Sequence, residues 1–263
     1  MSDLIYYELL SRIPQLQPYS KSDFYITPLE GLTNDNFRIE VAQDDWILRI
    51  PRAQTNALID RAAESHNQIL AAKLGIAPLP VWRDATGSTL TSTLRQARVV
   101  SPSDFASSET IEMIIAPVRR LHRSGFKFQG LIEAGAVLQS YFSKLPEVEQ
   151  SRFVARKQEA EALLLKLVDR DLAPVASHID LILENLLWSE QQLWLIDWEF
   201  SAMASPYWDL ASLCNAADLD AKQARELLHC YCAGSPQMEE SVLSDYRFLL
   251  QLISDCWISL VSS

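Results

Sequence analysis

The chain is poor in glycine, with only seven in 263 residues. Each one therefore marks a place where the backbone needs freedom from a Cβ, and Gly31, Gly75, Gly87 and Gly125 are expected at turns. No apolar run approaches the ~18 residues that a membrane helix requires. The opening stretch MSDLIYYELLSRIPQ lacks the basic region, apolar core and small-residue cleavage site of an export signal, and reads instead as a short amphipathic helix. Cysteine is also scarce. Cys230 and Cys232 form a C-x-C without a second pair at zinc spacing, and Cys214 and Cys256 stand alone. Reduced core thiols and a cytoplasmic location are expected. There is no internal repeat and no low-complexity tract.

Positive charge is the other shortage. Lysine and arginine number 23 against 34 acidic residues, a net charge of −11. The deficit is uneven: residues 1–100 carry ten basic and eleven acidic side chains, and residues 101–263 carry 13 and 23. Such a surface repels a nucleic-acid backbone and favours cationic ligands. Nucleic acid and membrane are therefore excluded as partners, and the sequence leaves the oligomeric state open.

Apolar residues make up 48% of the chain, which excludes disorder and allows one large domain or two lobes. The segments 24–31, 36–41 and 45–51 read as strands, 56–74 as a helix with Leu58, Ile59, Ala62, Ala63, Ile69, Leu70 and Leu74 spaced along its inner face and closed by Gly75, and 79–83 and 88–94 as two further strands. From about Pro102 the pattern is mostly helical. A helix capped by Ser107 or Ser108 runs to His122 with Pro117 inside it, which predicts a kink or a later start. Helices follow at 147–172, 208–217, 221–233 and 238–260. The fold class is α+β, with a small N-terminal lobe over 1–92 built on an antiparallel sheet and one main helix, and a larger, mostly helical lobe over 93–263.

One segment, SHIDLILENLLWSEQQLWLIDWEF (177–200), sets His178, Asp180, Asn185, Asp197 and Glu199 among apolar residues. Buried carboxylates are costly unless paired. Leu186–Trp188 and Leu193–Ile196 read as a hairpin with the four-residue connection 189–192. It would return Asp197 to the end where Asn185 lies, so that the carboxylate and the amide oxygen share one cation. Such oxygen ligands suit Mg²⁺ completed by water and phosphate. Asp180, in the loop feeding the first strand, is placed as a general base for phosphoryl transfer.

HIDLILEN resembles the H-G/N-D-L-x-x-x-N loop of the aminoglycoside phosphotransferase and choline kinase superfamily, and LWLIDWEFSAMASPYWDLA resembles its following block. EGLTNDNFRIE (30–40), WILRIP (46–51), IDRAAESHNQILAAKLGIAP (59–78) and VRRLHRSG (118–125) are similar to further blocks of that family, especially its choline, ethanolamine and thiamine kinase branch. The resemblance covers nearly the whole chain and implies a two-lobed protein-kinase-like fold that uses ATP and Mg²⁺, with ATP between the lobes. It implies that Asp180 is the catalytic base and that Asn185 and Asp197 hold the metal. Gly31, Thr33 and Asn34 would form the loop over the phosphates, and Arg49, paired with Glu64, would contact them. Four positions depart from the pattern: Glu30 stands where relatives often carry a first Gly, Ile179 replaces Gly or Asn, Leu183 or a neighbouring position stands where relatives often have Pro or His, and Phe200 replaces Tyr.

Aromatic faces beside carboxylates bind fixed positive charge. Trp198, Trp208 and Trp257, with Glu199, are the candidates for a cation-binding acceptor site. The expected acceptor is the primary hydroxyl of a small cationic alcohol, choline or thiamine. The alternatives are an aminoglycoside-type antibiotic kinase and a catalytically silent kinase-like binding protein.

Overall fold

A computed structural model describes residues 9–31, 34–56, 59–190, 192–233 and 238–261. Most of the amphipathic helix expected at the N-terminus lies outside them, as does Thr33. The chain divides into two compact units, the first comprising 1–61 and 78–95 and the second 62–77 and 96–263.

The first unit is an antiparallel sheet of β1 (Tyr25–Leu29), β2 (Asn34–Val41), β3 (Asp44–Pro51), β4 (Trp82–Arg83) and β5 (Thr89–Ser92), in the order β1-β2-β3-β5-β4. Strand alternation sorts the side chains. Ile39, Val41, Leu48 and Leu90 are buried against Leu10, Ile13 and Leu16, which arrive from the N-terminal segment. Pairing of Asn34 with Pro51 and of Val41 with Asp44 leaves Ala42-Gln43 as the turn. Arg38 forks onto Asp45 at 3.0 and 2.6 Å along this ladder.

The second unit begins with α1 (Arg61–Lys73), whose first residue clusters with the first unit. After it come β6 (Arg98–Val99), α2 (Ser108–His122), α3 (Ala134–Lys144), α4 (Glu147–Leu167), β7 (Val175–Ser177), β8 (Leu186–Ser189), β9 (Gln192–Leu195), β10 (Ala202–Ala204), α5 (Pro206–Ala216), α6 (Ala221–Cys232) and α7 (Glu240–Val261). Ser107 caps α2 by accepting the Thr110 N–H at 3.2 Å. The helix runs on through Pro117. Proline strips the carbonyl four residues back of its partner, and that residue, Met113, is 43% exposed, so its side of the helix faces water. The core joins Ile114, Ile115, Val118 and Leu121 of α2 to Leu210 and Leu213 of α5, Leu227 of α6, and Leu249 and Leu252 of α7.

Two expectations are corrected. The connection between β8 and β9 is two residues, not four, because Ser189 pairs with Gln192. Glu190 enters the turn at φ 58°, the left-handed geometry such tight hairpins use. In α1, Ile69, read as inward-facing, is 43% exposed, whereas Glu64, Asn67 and Ala71 are buried. With Ala63 its buried face is thus polar at two of four positions, and the apolar spacing misplaces Ile69.

Candidate active site

The site grows from the loop between β7 and β8. His178 is fully buried, and burial holds its imidazole below the usual range, so the ring is neutral. Its Nε2–H donates to the Ile196 carbonyl at 2.9 Å, which fixes the tautomer. Ile179 follows at φ 76°. A β-branched residue in the left-handed region costs on the order of 1–2 kcal/mol, and the surroundings hold it there. Its N–H donates to Asp209 Oδ1 at 2.8 Å, and its carbonyl accepts Trp208 Nε1–H at 2.9 Å.

Asp209, at the start of α5, is wholly enclosed. Its Oδ2 accepts the His178 N–H at 2.8 Å and lies 3.0 Å from His122 Nε2. Burial pushes its carboxyl up, but the His122 hydrogen bond and the His178 backbone N–H help to outweigh that and hold it below the usual carboxylate range. His122 Nδ1 in turn meets Tyr231 Oη at 2.9 Å. Sequence reading assigned Asp209 no role. Its signals were an acid inside the apolar run YWDLA and its place in the block LWLIDWEFSAMASPYWDLA.

Asp180 is pushed up to about 7, first by burial and then by the negative charges of Asp197 and Glu199, with the Asn185 hydrogen bond opposing. Asn185 Nδ2 donates to the Asp180 carbonyl at 2.9 Å and to Asp180 Oδ2 at 3.0 Å. Both amide hydrogens are thereby used, leaving Oδ1 as the acceptor end of the group. The hairpin then sets Asp197: the Ile196 N–H donates to the Asn185 carbonyl at 3.0 Å, and Asp197 is the next residue, itself at φ 63°. One loop and the root of one hairpin therefore set the Asp180 carboxyl beside the Asn185 amide and within electrostatic reach of Asp197 and Glu199.

Among the described residues, no three His, Cys, Asp or Glu side chains form a metal cage by themselves. Mg²⁺ takes one or two protein oxygens and fills its shell with water and phosphate. The repulsion that raises Asp180 is what a cation between these carboxylates would relieve.

The aromatic candidates separate. Trp198 is 1% exposed, donates to the Leu195 carbonyl, and sits edge-on to Phe128 and His178. It is a wall of the loop and offers no free face. Trp208 is buried with its N–H on the loop backbone. Trp257 of α7 is half-buried and lies 5.4 Å from Tyr141 of α3, centroid to centroid. Burial and then the Asp180 charge push the Tyr141 hydroxyl up, which places this ring within electrostatic reach of the site. Sequence reading missed Tyr141 because it missed α3. Glu199 is 6% exposed.

Comparison with known proteins gives the frame. The profile described as "Phosphotransferase enzyme family" matches residues 26–241. A choline/ethanolamine kinase family protein of Mesorhizobium loti is 30% identical, with the alignment covering 100% of this chain and 87% of that one at a TM-score of 0.81. This chain belongs to the phosphotransferase enzyme family, in its choline/ethanolamine kinase branch. Protein LicA of Haemophilus influenzae is 29% identical over 208 residues, covering 77% of this chain and 61% of that protein, so the match spans less than two thirds of that relative. The choline kinase LicA from Streptococcus pneumoniae shares the fold at a TM-score of 0.86 with 22% identity, over 99% of this chain and 90% of that one.

The remaining candidates of this phosphotransferase lie elsewhere in the chain. Gly31 precedes β2, where an added Cβ would stand 2.5 Å from Asn36 Nδ2 and 2.6 Å from the Asn34 carbonyl, closer than any side chain tolerates. Asn34 is 2% exposed. Arg49 sits opposite Asn36 and Thr89 in the sheet, on the face away from Leu48. Glu64 of α1 is 1% exposed.

Proposed function

We propose that this phosphotransferase moves the γ-phosphoryl group of ATP, with Mg²⁺, to the hydroxyl of choline. The observation that carries the reading is the joining of Asp180 to Asn185 at 3.0 Å with Asp197 at the root of the adjoining hairpin. Asp180 orients the alcohol and takes its proton, and its carboxyl near neutrality suits a group that must do so at cellular pH. Asn185 and Asp197 are the residues that would hold Mg²⁺, which when bound neutralises charge on the phosphate oxygens. Gly31, Thr33, Asn34, Arg49 and Glu64 serve the nucleotide phosphates. Residues 1–92 act as the nucleotide-side lobe and 93–263 as the acceptor lobe, working in the cytoplasm. Among the described residues no helix is long and apolar enough to cross a membrane.

For the acceptor cation, the half-buried Tyr141–Trp257 pair supplies aromatic rings and Glu199 supplies opposite charge. An ADP-release assay over choline, ethanolamine, thiamine and kanamycin tests the reading. Choline is expected to give the highest kcat/KM, and Trp257→Ala to raise its KM about tenfold, matching the ~1–2 kcal/mol of a desolvated cation–π contact. Preference for kanamycin or thiamine, or no ADP release with any of the four, would overturn it.

A further inference from the structure

The inner face of α1 carries a fully buried asparagine, Asn67, whose amide is completely used by main chain. Its Nδ2 donates to the Gln129 carbonyl at 3.1 Å and to the Ser201 carbonyl at 2.8 Å, and its Oδ1 accepts the Gln129 N–H at 2.8 Å. Toward Gln129 the side chain imitates one rung of a β-ladder. Toward Ser201 it grips the turn just after Asp197 and Glu199, a turn itself closed by the Ser201 N–H and Oγ–H on the Trp198 carbonyl at 3.1 and 2.6 Å.

The same helix holds the other end of that segment. Its exit loop accepts the Leu195 N–H on the Ile76 carbonyl at 2.8 Å, and the Gln192 amide donates to the Gly75 carbonyl. Residues 195–201, which contain Asp197, are therefore fastened at both ends to α1 or its exit. The loop that carries Gln129 is pinned to the same strand: Met203 N–H donates to the Gly130 carbonyl at 3.0 Å, and Ile132 N–H to the Met203 carbonyl at 2.9 Å.

We propose that Asn67 is a positioning residue for phosphoryl transfer, clamping the helix that carries Glu64 to the segment that carries Asp197 so that the two move as one body. Glu64 lies one helical turn before Asn67 on the same buried face. The functional half of the inference rests on the roles given above to Glu64 and Asp197, and the mechanical half does not. With the clamp intact, α1 has no independent swing that would serve as an on–off control. With it broken, the carbonyls of Gln129 and Ser201 lose a buried donor, and α1 drifts relative to Asp197.

The test combines kinetics with hydrogen exchange on the full chain. In Asn67→Ser and Asn67→Asp, kcat/KM for Mg·ATP is expected to fall 10- to 100-fold while the acceptor KM changes less than twofold. Leu227→Ala, a core truncation in α6, should lower Tm comparably and leave both KM values within twofold. In the wild-type chain, peptides covering 61–73 and 198–204 are expected to open together, with exchange rates within tenfold of each other, and in Asn67→Ser both should accelerate together.

A wild-type helix that exchanges more than tenfold faster than 198–204 would overturn the clamp, even if no variant folds. Asn67 variants with unchanged kinetic constants, or with only the acceptor KM altered, would overturn its positioning role. If the wild-type chain transfers no phosphoryl group, the proposed function fails, and the exchange rates alone still decide the clamp.

Discussion

The β2–β3 hairpin of the first unit and the β8–β9 hairpin of the second share a plan and differ in what holds them. Each turns in two residues, the first of them left-handed, Ala42 at φ 54° and Glu190 at φ 58°. The β2 and β3 strands are eight residues long and largely half-buried, so the ladder itself sets the register. The β8 and β9 strands are four residues long, with Leu186, Trp188, Leu193 and Leu195 all buried. The short hairpin takes its geometry from its surroundings: Ile76, His178 and Asn185 each bond its backbone or the residue after it. The lesson is that Asn34 and Arg49, proposed to serve the nucleotide, ride on a self-supporting ribbon, whereas the residues proposed for the chemistry sit on or beside a ribbon that has to be held. Changes near the second should cost turnover, and changes near the first should cost nucleotide affinity.

The sharpest probe of that contrast is Asp180→Ala. It removes the proposed base from the loop beside the held ribbon, and kcat is expected to fall by about 10³-fold or more, within the range for general-base removal. Mg·ATP binding measured by calorimetry should change little, and a variant with near-normal kcat would break the comparison at its centre.

Asp209→Asn comes next. It leaves one of two backbone N–H groups facing an amide, and a broken buried network of this kind costs about 3 kcal/mol. The pH signature has a definite sign. The folded Asp209 carboxyl lies below its unfolded value, so its contribution is complete above the unfolded value near ~4 and is lost as pH falls through the lower folded one. Wild-type Tm should therefore drop along that acid limb, and the Asn variant should show a flatter limb from a lower start. Equal slopes in the two proteins would remove Asp209 as the loop's anchor.

The smallest effect belongs to the connection that leads into the self-supporting ribbon. Gly31→Ala forces a Cβ against the Asn34 carbonyl at 2.6 Å and should raise the KM for Mg·ATP about tenfold, roughly 1.4 kcal/mol, with kcat within twofold. A fall in kcat at unchanged KM would show that the first hairpin also reaches the chemistry.

How much of this was legible follows from where the signals lay. Asp180, Asn185 and Asp197 stood out because polar residues interrupt an apolar stretch, and strand alternation showed where a hairpin would bring them. The helix α3 was invisible: it opens on Ala-Gly-Ala after Glu133, whose side chain makes no cap, so no start signal announced it, and Tyr141 went with it. The inner face of α1 was misread because Asn67 is satisfied by backbone from 62 and 134 residues away, which no local pattern records. Tight hairpin turns usually announce themselves with Asn-Gly. In a chain this poor in glycine, Ala42 and Glu190 take that conformation, so the second turn read as longer than it is. Trp198 and Trp208 looked like ligand surface because their indole N–H groups are answered by loop carbonyls that only the folded chain supplies.

The contorted backbone at Ile179 has a consequence for the eight letters HIDLILEN. They do not contain their own shape. The two amides that bend them are answered by one acid some thirty positions downstream, so moving the octapeptide into a foreign scaffold would carry over its spelling and leave its conformation behind. The heritable unit is the octapeptide together with the helix that moulds it.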